Sequence, residues 1–189
     1  MSPRAGLDRE KVLAAAATLV DREGAQGLTV ARLAAQLEIK PPSLYNHVDS
    51  LEALQLELAV RGLRGMAAAM RTSVMGLAGV DALRALAGAY RTYALEHPGL
   101  YTLTLRARED DAAFSAASHE VLSVVLAVLR GYQLSAASAI HATRCLRSAL
   151  HGFVSLEAAG GFGMPYDLTE SFARLVDMLD QGLRKGGSE

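Results

Sequence analysis

Side chains that could contact nucleic acid are concentrated between residues 40 and 47 of the chain. An ammonium group, hydroxyl groups and an imidazole can hydrogen-bond to phosphate oxygens, and an amide can pair with a base edge. We expect Tyr45 and His47 to contact phosphates, while Ser43, Asn46 and Lys40 approach base edges. The outward-facing residues of this stretch are Lys40, Pro42, Ser43, Tyr45, Asn46 and His47.

Two short helices around a tight turn are predicted to position these side chains. The first helix spans about residues 30–37, where apolar residues recur on one face at helical spacing. Thr29 is its predicted N-cap, and we expect its hydroxyl also to reach a phosphate. The second helix begins near Pro41, because proline is tolerated in a first helical turn. This layout is typical of a DNA-reading helix-turn-helix.

Residues 8–60 resemble the N-terminal domain of the TetR family of transcriptional repressors. The best match is the segment LTVARLAAQLEIKPPSLYNHVDSLEAL, with an alanine-rich helix, a turn and an "-LY-H-" recognition helix. Two positions depart from the family pattern: Glu38 stands in the turn where glycine is usual, and the fourth helix opens without the usual lysine. The resemblance implies an all-α protein of about nine helices. Residues 1–50 would form a three-helix DNA-binding domain and residues 51–189 a helical effector-binding and dimerisation domain.

Length and charge are consistent with this organisation but give no basic excess. A chain of 189 residues, 51% of them hydrophobic, suffices for a small helical head and a larger helical body. Lys and Arg number 19 and Asp and Glu 20, a formal net charge of −1. Any positive surface must therefore come from where the cations lie in the fold. The candidates for such a surface are Arg4, Lys40 and the helix N-termini. We expect moderate salt dependence and weak non-specific binding to DNA.

Compartment and catalysis follow from what the sequence lacks. A single cysteine, Cys145, and no recognisable export signal indicate a reducing cytoplasm. No apolar run is expected to approach the ~20 residues that span a bilayer, so no membrane partner is predicted. His141 and Cys145 have ligand spacing but lack a third ligand, so we expect no metal site. Without a phosphate loop or a hydrolase motif, neither an enzyme nor a cofactor is expected.

Helix signals continue along the rest of the chain. Helix 1 should run from a cap at Asp8 to Glu23, and helix 4 from an Asp49-x-x-Glu52 capping box to about Thr72. The apolar stretch 121–129 indicates that helix 7 is enclosed by its neighbours. Helix 9 should begin with a second capping box, Asp167-x-x-Glu170. The remaining predictions are helix 5 over 81–96, helix 6 over 99–106, helix 7 over 111–130 and helix 8 over 135–159.

Helices 8 and 9 each carry an apolar stripe, and periodicity alone does not say whose core a stripe joins. An amphipathic C-terminal helix commonly packs on its own domain. The resemblance implies instead a homodimer through helices 8 and 9, with two reading heads about 34–36 Å or a multiple apart on double-stranded operator DNA. The operator would then be nearly palindromic.

The resemblance also implies an internal pocket for a small-molecule effector, mostly apolar with a few polar groups. The same aromatic side chains could simply fill core, and the arginines could extend to solvent. Arg144, Ser148 and His151 share one helical face, with Glu157 about two turns further on, and could contact an anionic or hydroxylated effector. His151-Gly152 also resembles a subgroup named for a Trp-His-Gly signature, although the tryptophan is missing. The candidates are Tyr90, Tyr93, Tyr101, Arg106, Phe114, His119, Arg144, Ser148, His151, Phe153, Glu157 and Phe162.

Two other interpretations of the function stay open at this point. An activator could use the same DNA-binding fold, because the sign of regulation depends on where the operator lies relative to the promoter. A helical protein-interaction module without specific DNA binding would account for the amphipathic helices alone. A test of specific DNA binding distinguishes the protein-interaction module from a transcriptional regulator.

Overall fold

Helices make up the regular structure throughout the part of the chain that the computed structural model describes, which is residues 7–106, 108 and 110–186. Those residues form nine α-helices and contain no strand, which confirms the all-α prediction. Short 3₁₀ helices span Ala25–Gly27 and Arg130–Tyr132. The α-helices are α1 (Arg9–Glu23), α2 (Val30–Gln36), α3 (Pro41–Leu44), α4 (Leu51–Ser73), α5 (Gly79–Glu96), α6 (Pro98–Leu103), α7 (Ala112–Leu129), α8 (Ala136–Ala158) and α9 (Leu168–Gly186).

Local capping groups begin and end the helices near the predicted positions. The Asp8 carboxylate accepts the Lys11 N–H at 2.8 Å and begins α1, and Gly24 ends it with a φ of 74°. Ser135 accepts the Ser138 N–H at 3.2 Å at the start of α8. Each cap satisfies a backbone group that has no partner within its own helix.

The two predicted capping boxes need correction. α4 is capped by Ser50 and not by Asp49, because the Ser50 hydroxyl accepts the Ala53 N–H at 3.0 Å. In α9 the Asp167 carboxylate does cap, accepting the Thr169 N–H at 2.8 Å. Glu170 does not reach back to close that box, because its carboxylate accepts a 2.8 Å hydrogen bond from Arg174 one turn later.

The chain divides into two compact units, neither of which is continuous in sequence. The first unit, here called the head, comprises residues 1–63 and 96–117, and the second, the body, comprises 64–95 and 118–189. α4 and α7 each contribute residues to both units. α6 belongs to the head together with the helix-turn-helix. The fully buried side chains of the head include Val12, Leu19, Val20, Leu33, Leu44, Leu54 and Leu58, and those of the body Met70, Leu83, Leu86, Leu129 and Leu150.

In the body, a buried carboxylate links the 3₁₀ helix after α7 to α9. Asp180 is 8% exposed and accepts hydrogen bonds from the Tyr132 hydroxyl at 2.7 Å and from Arg184 Nε at 2.8 Å. Burial opposes ionisation of Asp180, but the hydrogen bonds from Arg184 and Tyr132 outweigh it and lower its pKa. Burial, and then the hydrogen bond to Asp180, raise the pKa of Tyr132. Asp180 is therefore ionised and Tyr132 neutral at physiological pH.

α7 departs from two sequence-based expectations. The helical segment Ala112–Tyr132 has the length and apolar composition of a membrane-crossing helix, so the expectation of no such run is wrong. Length and composition alone are weak evidence for a membrane span, because core helices of soluble proteins share them. The helix is also not enclosed on all sides: Ser123 and Ala127 are exposed, while Val124 and Val128 are buried. The sequence predicted full enclosure because the small residues Ser123 and Ala127 lower the hydropathy of the stretch only a little, although both are exposed.

Candidate functional site

The helix-turn-helix is formed by α2 and α3 in the head. The Thr29 hydroxyl accepts the Arg32 N–H at 3.3 Å and caps α2, as predicted. Pro41 and Pro42 occupy the first turn of α3, where a missing N–H has no consequence. Leu33 and Leu44 are completely buried and Val48 nearly so. The apolar side of the motif is therefore core, and its polar side faces solvent.

α3 is only one turn long and continues into hydrogen-bonded turns. The His47 N–H donates to the Leu44 carbonyl at 2.9 Å, and the Asn46 N–H to the Ser43 carbonyl at 3.4 Å. Tyr45 is 57% exposed. Thr29, Lys40, Pro42 and Asn46 are also exposed, and Ser43 and His47 are half-buried. The residues predicted to contact DNA are thus all accessible, and all but Thr29 come from one short stretch.

The turn between α2 and α3 places a side-chain-bearing residue in the left-handed region. Glu38 has a φ of 54°, a conformation that glycine adopts without steric cost. Its N–H donates to the Ala35 carbonyl at 3.2 Å, and the next N–H, of Ile39, donates to the Ala34 carbonyl at 3.0 Å. The turn is therefore held by hydrogen bonds despite the unfavourable dihedral angle at Glu38.

Replacing Glu38 with glycine is expected to raise the free energy of unfolding by about 0.5–1 kcal/mol, because relief of the left-handed strain exceeds the added entropy of the unfolded chain. Denaturant titration measures this difference. Ala35→Gly, at an exposed helical position one turn earlier, should lower stability by about 1 kcal/mol. A loss of stability in Glu38→Gly would show that the carboxylate contributes more than the strain costs.

Most cations of the head are held in ion pairs with acidic neighbours. Arg9 and Glu57 lie 2.6 Å apart, and Arg61 and Glu10 2.5 Å apart, so that two pairs link α1 to α4. Glu23 contacts both Arg22, at 2.7 Å, and Arg32. Lys11 pairs with Asp8 at 3.8 Å. Lys40 has no ion pair among the residues that the structure describes, and Arg4, predicted to assist it, lies outside those residues.

α6 is joined to α1 within the head by contacts that the sequence analysis did not identify. The Asp21 carboxylate lies 3.1 Å from His97 Nδ1 and accepts the Leu100 N–H at 2.8 Å. Gly99 allows the two backbones to touch, because an added Cβ would overlap the Val20 carbonyl. The one signal in the sequence is His97-Pro98-Gly99, which indicates a turn between two helices but not what that turn packs against.

In the body, an ion pair is surrounded by phenylalanines. Arg91 of α5 donates to both Glu157 oxygens of α8, at 2.5 and 2.8 Å. The guanidinium carbon lies 5.0 Å from the ring centroid of Phe172 and 5.8 Å from that of Phe153, within cation–π range. Phe153 also packs against Phe162, with ring centroids 4.9 Å apart. Hydrogen bonding to Glu157 raises the pKa of Arg91.

The structure brings together only part of the predicted effector set. Phe153, Glu157 and Phe162 meet Arg91 and Phe172 in a group of five side chains, here called the Arg91 cluster. Sequence reasoning missed Arg91 and Phe172, because they lie on α5 and α9 and contact α8 only through tertiary packing. Tyr90 and Tyr93 are buried in the body, and Tyr101 and Phe114 in the head. Arg106, His119, Arg144 and Ser148 are exposed, and His151 is half-buried with Nδ1 3.3 Å from the Ser155 hydroxyl.

The shared face of Arg144, Ser148 and His151 is the accessible side of α8 and does not include Glu157, which faces Arg91. His141 and Cys145 are exposed on the same helix. Within the described residues, no three His, Cys, Asp or Glu side chains cluster as metal ligands would.

Comparisons with known proteins match this chain to one family of transcriptional regulators. Residues 83–179 match the family model described as "Tetracyclin repressor-like, C-terminal domain". The chain is 39% identical to the HTH-type transcriptional regulator YobS of Bacillus subtilis (strain 168), covering 97% of this chain and 96% of the relative. A 56-residue match to the tetracycline repressor protein class D of Escherichia coli is 46% identical and covers 30% of this chain and 26% of that protein.

A similar fold is found in a TetR variant from Acinetobacter baumannii AYE, solved in complex with minocycline. The TM-score is 0.71 at 23% identity, and the match covers 95% of this chain and 98% of that one.

Proposed function

Because the chain belongs to the TetR family of DNA-binding transcriptional regulators, we propose that it is a repressor that binds a near-palindromic operator as a homodimer and is released by a small-molecule effector. The observation that carries the proposal is the exposed polar stretch from Lys40 to His47 on a buried helix-turn-helix core. The chain also matches 56 residues of a protein named as a tetracycline repressor, and that name supports repression rather than activation. The family is a class of regulators rather than of enzymes, and we place this member in the cytoplasm.

DNA reading is assigned to two groups of side chains in the head. Tyr45 and His47 position the motif on phosphates together with Thr29. Asn46 reads a base edge, because an exposed amide can pair with an adenine in the major groove. Ser43 and Lys40 lie beside it, and Lys40 is free of an ion pair with any described residue. Few phosphate contacts are available, so base contacts carry a large share of the affinity.

DNA binding by the purified protein tests this assignment. We expect preferential binding to the region upstream of its own gene over scrambled DNA of equal length, near physiological salt. Asn46→Ala should weaken operator binding by about 1–3 kcal/mol and leave scrambled DNA unaffected, since it removes a base contact. Tyr45→Ala should weaken binding to both DNAs alike, since it removes a phosphate contact.

Tyr166→Ala is the matched control for Tyr45→Ala, because Tyr166 is 75% exposed and lies between α8 and α9. It should bind DNA as the wild type does. Equal operator affinity in Asn46→Ala and wild type would remove Asn46 from base reading. No preference for any DNA in a random-oligonucleotide selection would favour the interaction-module alternative.

Dimerisation is proposed through α8 and α9 of the body. α9 exposes 63% of Met178, and Leu175 and Leu179 beside it are half-buried. α8 exposes 38% of Ile140 and 50% of Leu156. Exposed apolar side chains on both helices are what a four-helix interface between two copies would cover. A two-fold dimer would then present two heads to the two half-sites of an operator.

Effector binding is proposed for the body, with Tyr90, Tyr93 and the Arg91 cluster as candidate contacts. The minocycline complex of a protein with this fold supports a small-molecule ligand, without naming the one that acts here. α4 contributes to both units, so a shift of this helix could change the spacing of the two heads. Because coupling is reciprocal, operator DNA would weaken effector binding by the factor by which effector weakens DNA binding.

A further inference from the structure

The carboxylate of Glu23, at the end of α1, holds two arginines. Its Oε1 accepts from Arg22 Nε at 3.2 Å and Nη2 at 2.7 Å, and its Oε2 contacts Arg32 Nη1. The side chains of Arg22 and Arg32 are 62% and 58% exposed. The hydrogen bond from Arg22, with further contributions from Arg32, lowers the pKa of Glu23. The carboxylate is therefore ionised and neutralises one of two accessible positive charges.

The loop that follows α1 encloses this ion pair closely. Gly27 is buried, and a Cβ there would lie 2.5 Å from Glu23 Cβ, 3.3 Å from Glu23 Oε2 and 3.4 Å from Arg32 Nη1. The backbone of the Ala25–Gly27 turn thus runs against both partners. The backbone on one side therefore limits the rotation of the Glu23 and Arg32 side chains, in contrast to an ion pair between freely rotating surface side chains.

Arg32 lies on the helix of the motif that is expected to be nearest the phosphates. α2 is the first helix of the helix-turn-helix, and in such motifs this helix crosses the DNA backbone. The guanidinium of Arg32 would be a natural phosphate partner there, because it forms strong charge-assisted hydrogen bonds. In the free protein its charge is already matched by Glu23.

We propose that Glu23 restrains Arg22 and Arg32 from contacting DNA phosphates, and so limits sequence-independent binding by this regulator. This inference rests on the proposed DNA-binding role of the head. Phosphate contacts raise affinity for all DNA equally, whereas base contacts discriminate. A carboxylate that competes with phosphate for two arginines therefore lowers non-specific affinity and raises the ratio of operator to non-specific binding.

Glu23→Gln tests the proposal, because glutamine keeps the size of the side chain and removes its charge. The measurement is the affinity for scrambled DNA and for operator as a function of salt concentration. Each arginine that gains a phosphate should steepen the slope of log affinity against log salt by about 0.9. We expect a slope steeper by about 0.9–1.8, about tenfold tighter binding to scrambled DNA near 0.1 M salt, and a smaller operator preference.

Glu120→Gln is the matched control. Glu120 also lies near two arginines, Arg64 at 3.6 Å and Arg71 at 4.0 Å, but it belongs to the body. The same change of net charge there should leave the salt slope unaltered. Adding Arg32→Gln to Glu23→Gln should remove about half of the gained slope, whereas Arg32→Gln alone should change the wild-type slope little.

A wild-type salt slope in a folded Glu23→Gln variant would overturn the proposal, as would an equal gain in Glu120→Gln. Weaker DNA binding by Glu23→Gln would also overturn it, because the ion pair would then position Arg32 for DNA. If Glu23→Gln does not fold, Arg32→Gln alone decides, since a large loss of scrambled-DNA affinity means that Arg32 is not restrained. Wild-type protein without operator preference would contradict the proposed repressor but not this test, whose readout is sequence-independent.

Discussion

Gly99→Ala is expected to lower the free energy of unfolding by about 3 kcal/mol, because it forces apart two backbones in contact. An added Cβ would overlap the carbonyl of Val20 and lie 2.6 Å from the backbone nitrogen of Asp21. Backbone atoms cannot rotate away as a side chain can, so α6 must move off α1. Asp21 would then lose the N–H of Leu100 and the ring of His97, which it now holds at 2.8 and 3.1 Å.

Thermal unfolding at fixed protein concentration measures this effect, and a fall in Tm of about 6–12 °C is expected. Gly88→Ala is the matched control, since Gly88 lies within α5 and has open space where its Cβ would be. That variant should gain about 1 kcal/mol, because alanine favours helix more than glycine does. A wild-type Tm in Gly99→Ala would contradict the close approach of α6 to α1.

Replacing Glu157 alone with leucine is expected to destabilise the body by about 3 kcal/mol, because the charge of Arg91 would stay largely buried without its carboxylate. The side chains of Arg91 and Glu157 are only 17% and 14% exposed. The rings of Phe153 and Phe172 lie 5.8 and 5.0 Å from the guanidinium carbon and offer no oxygen to replace those of Glu157. Chemical denaturation of the variant and the wild type gives the difference.

The double variant Arg91→Met, Glu157→Leu should recover most of that loss, because it leaves no unpaired charge among the phenylalanines. The exposed pair Arg174 and Glu170, at 76% and 59% side-chain exposure, provides the control. Glu170→Ala should change stability by no more than about 0.5 kcal/mol. If the double variant is as unstable as Glu157→Leu, packing by Glu157 and not its charge stabilises the cluster.

These two experiments test contacts between helices in different units of the protein. Gly99 tests whether α6 is an integral part of the head, and Glu157 tests whether α5 and α8 are held together in the body.

Helix boundaries were largely predictable because their signals are local. A cap at Asp8, Thr29 or Ser135 needs only the residues of one turn to form its hydrogen bond. The cap of α4 was misplaced because Asp49 and Ser50 are both good capping residues. Which of them caps depends on the residue at which the helix begins, and local sequence patterns place a helix end only to within one or two residues.

The residues predicted to contact DNA could be recognised as exposed from the sequence for a similar reason. Leu44 and Val48 recur at helical spacing and are buried, so the polar residues between them must face outward. Tyr45 and Asn46 are accordingly exposed. Their contacts with DNA stay predictions, but their accessibility follows from the local alternation of apolar and polar side chains.

By itself, the sequence determined the all-helical class, the helix-turn-helix and the family, because periodicity, caps and a contiguous motif are carried by neighbouring residues. Only the tertiary structure decided which face of a long helix is inward. Helical spacings of four and three residues grouped Arg144, Ser148 and His151, yet that face is the accessible one, and Glu157 instead meets Arg91, 66 positions earlier. The packing of the helices determines such partners, because a contact between residues distant in sequence does not change the pattern of apolar and polar residues around either one.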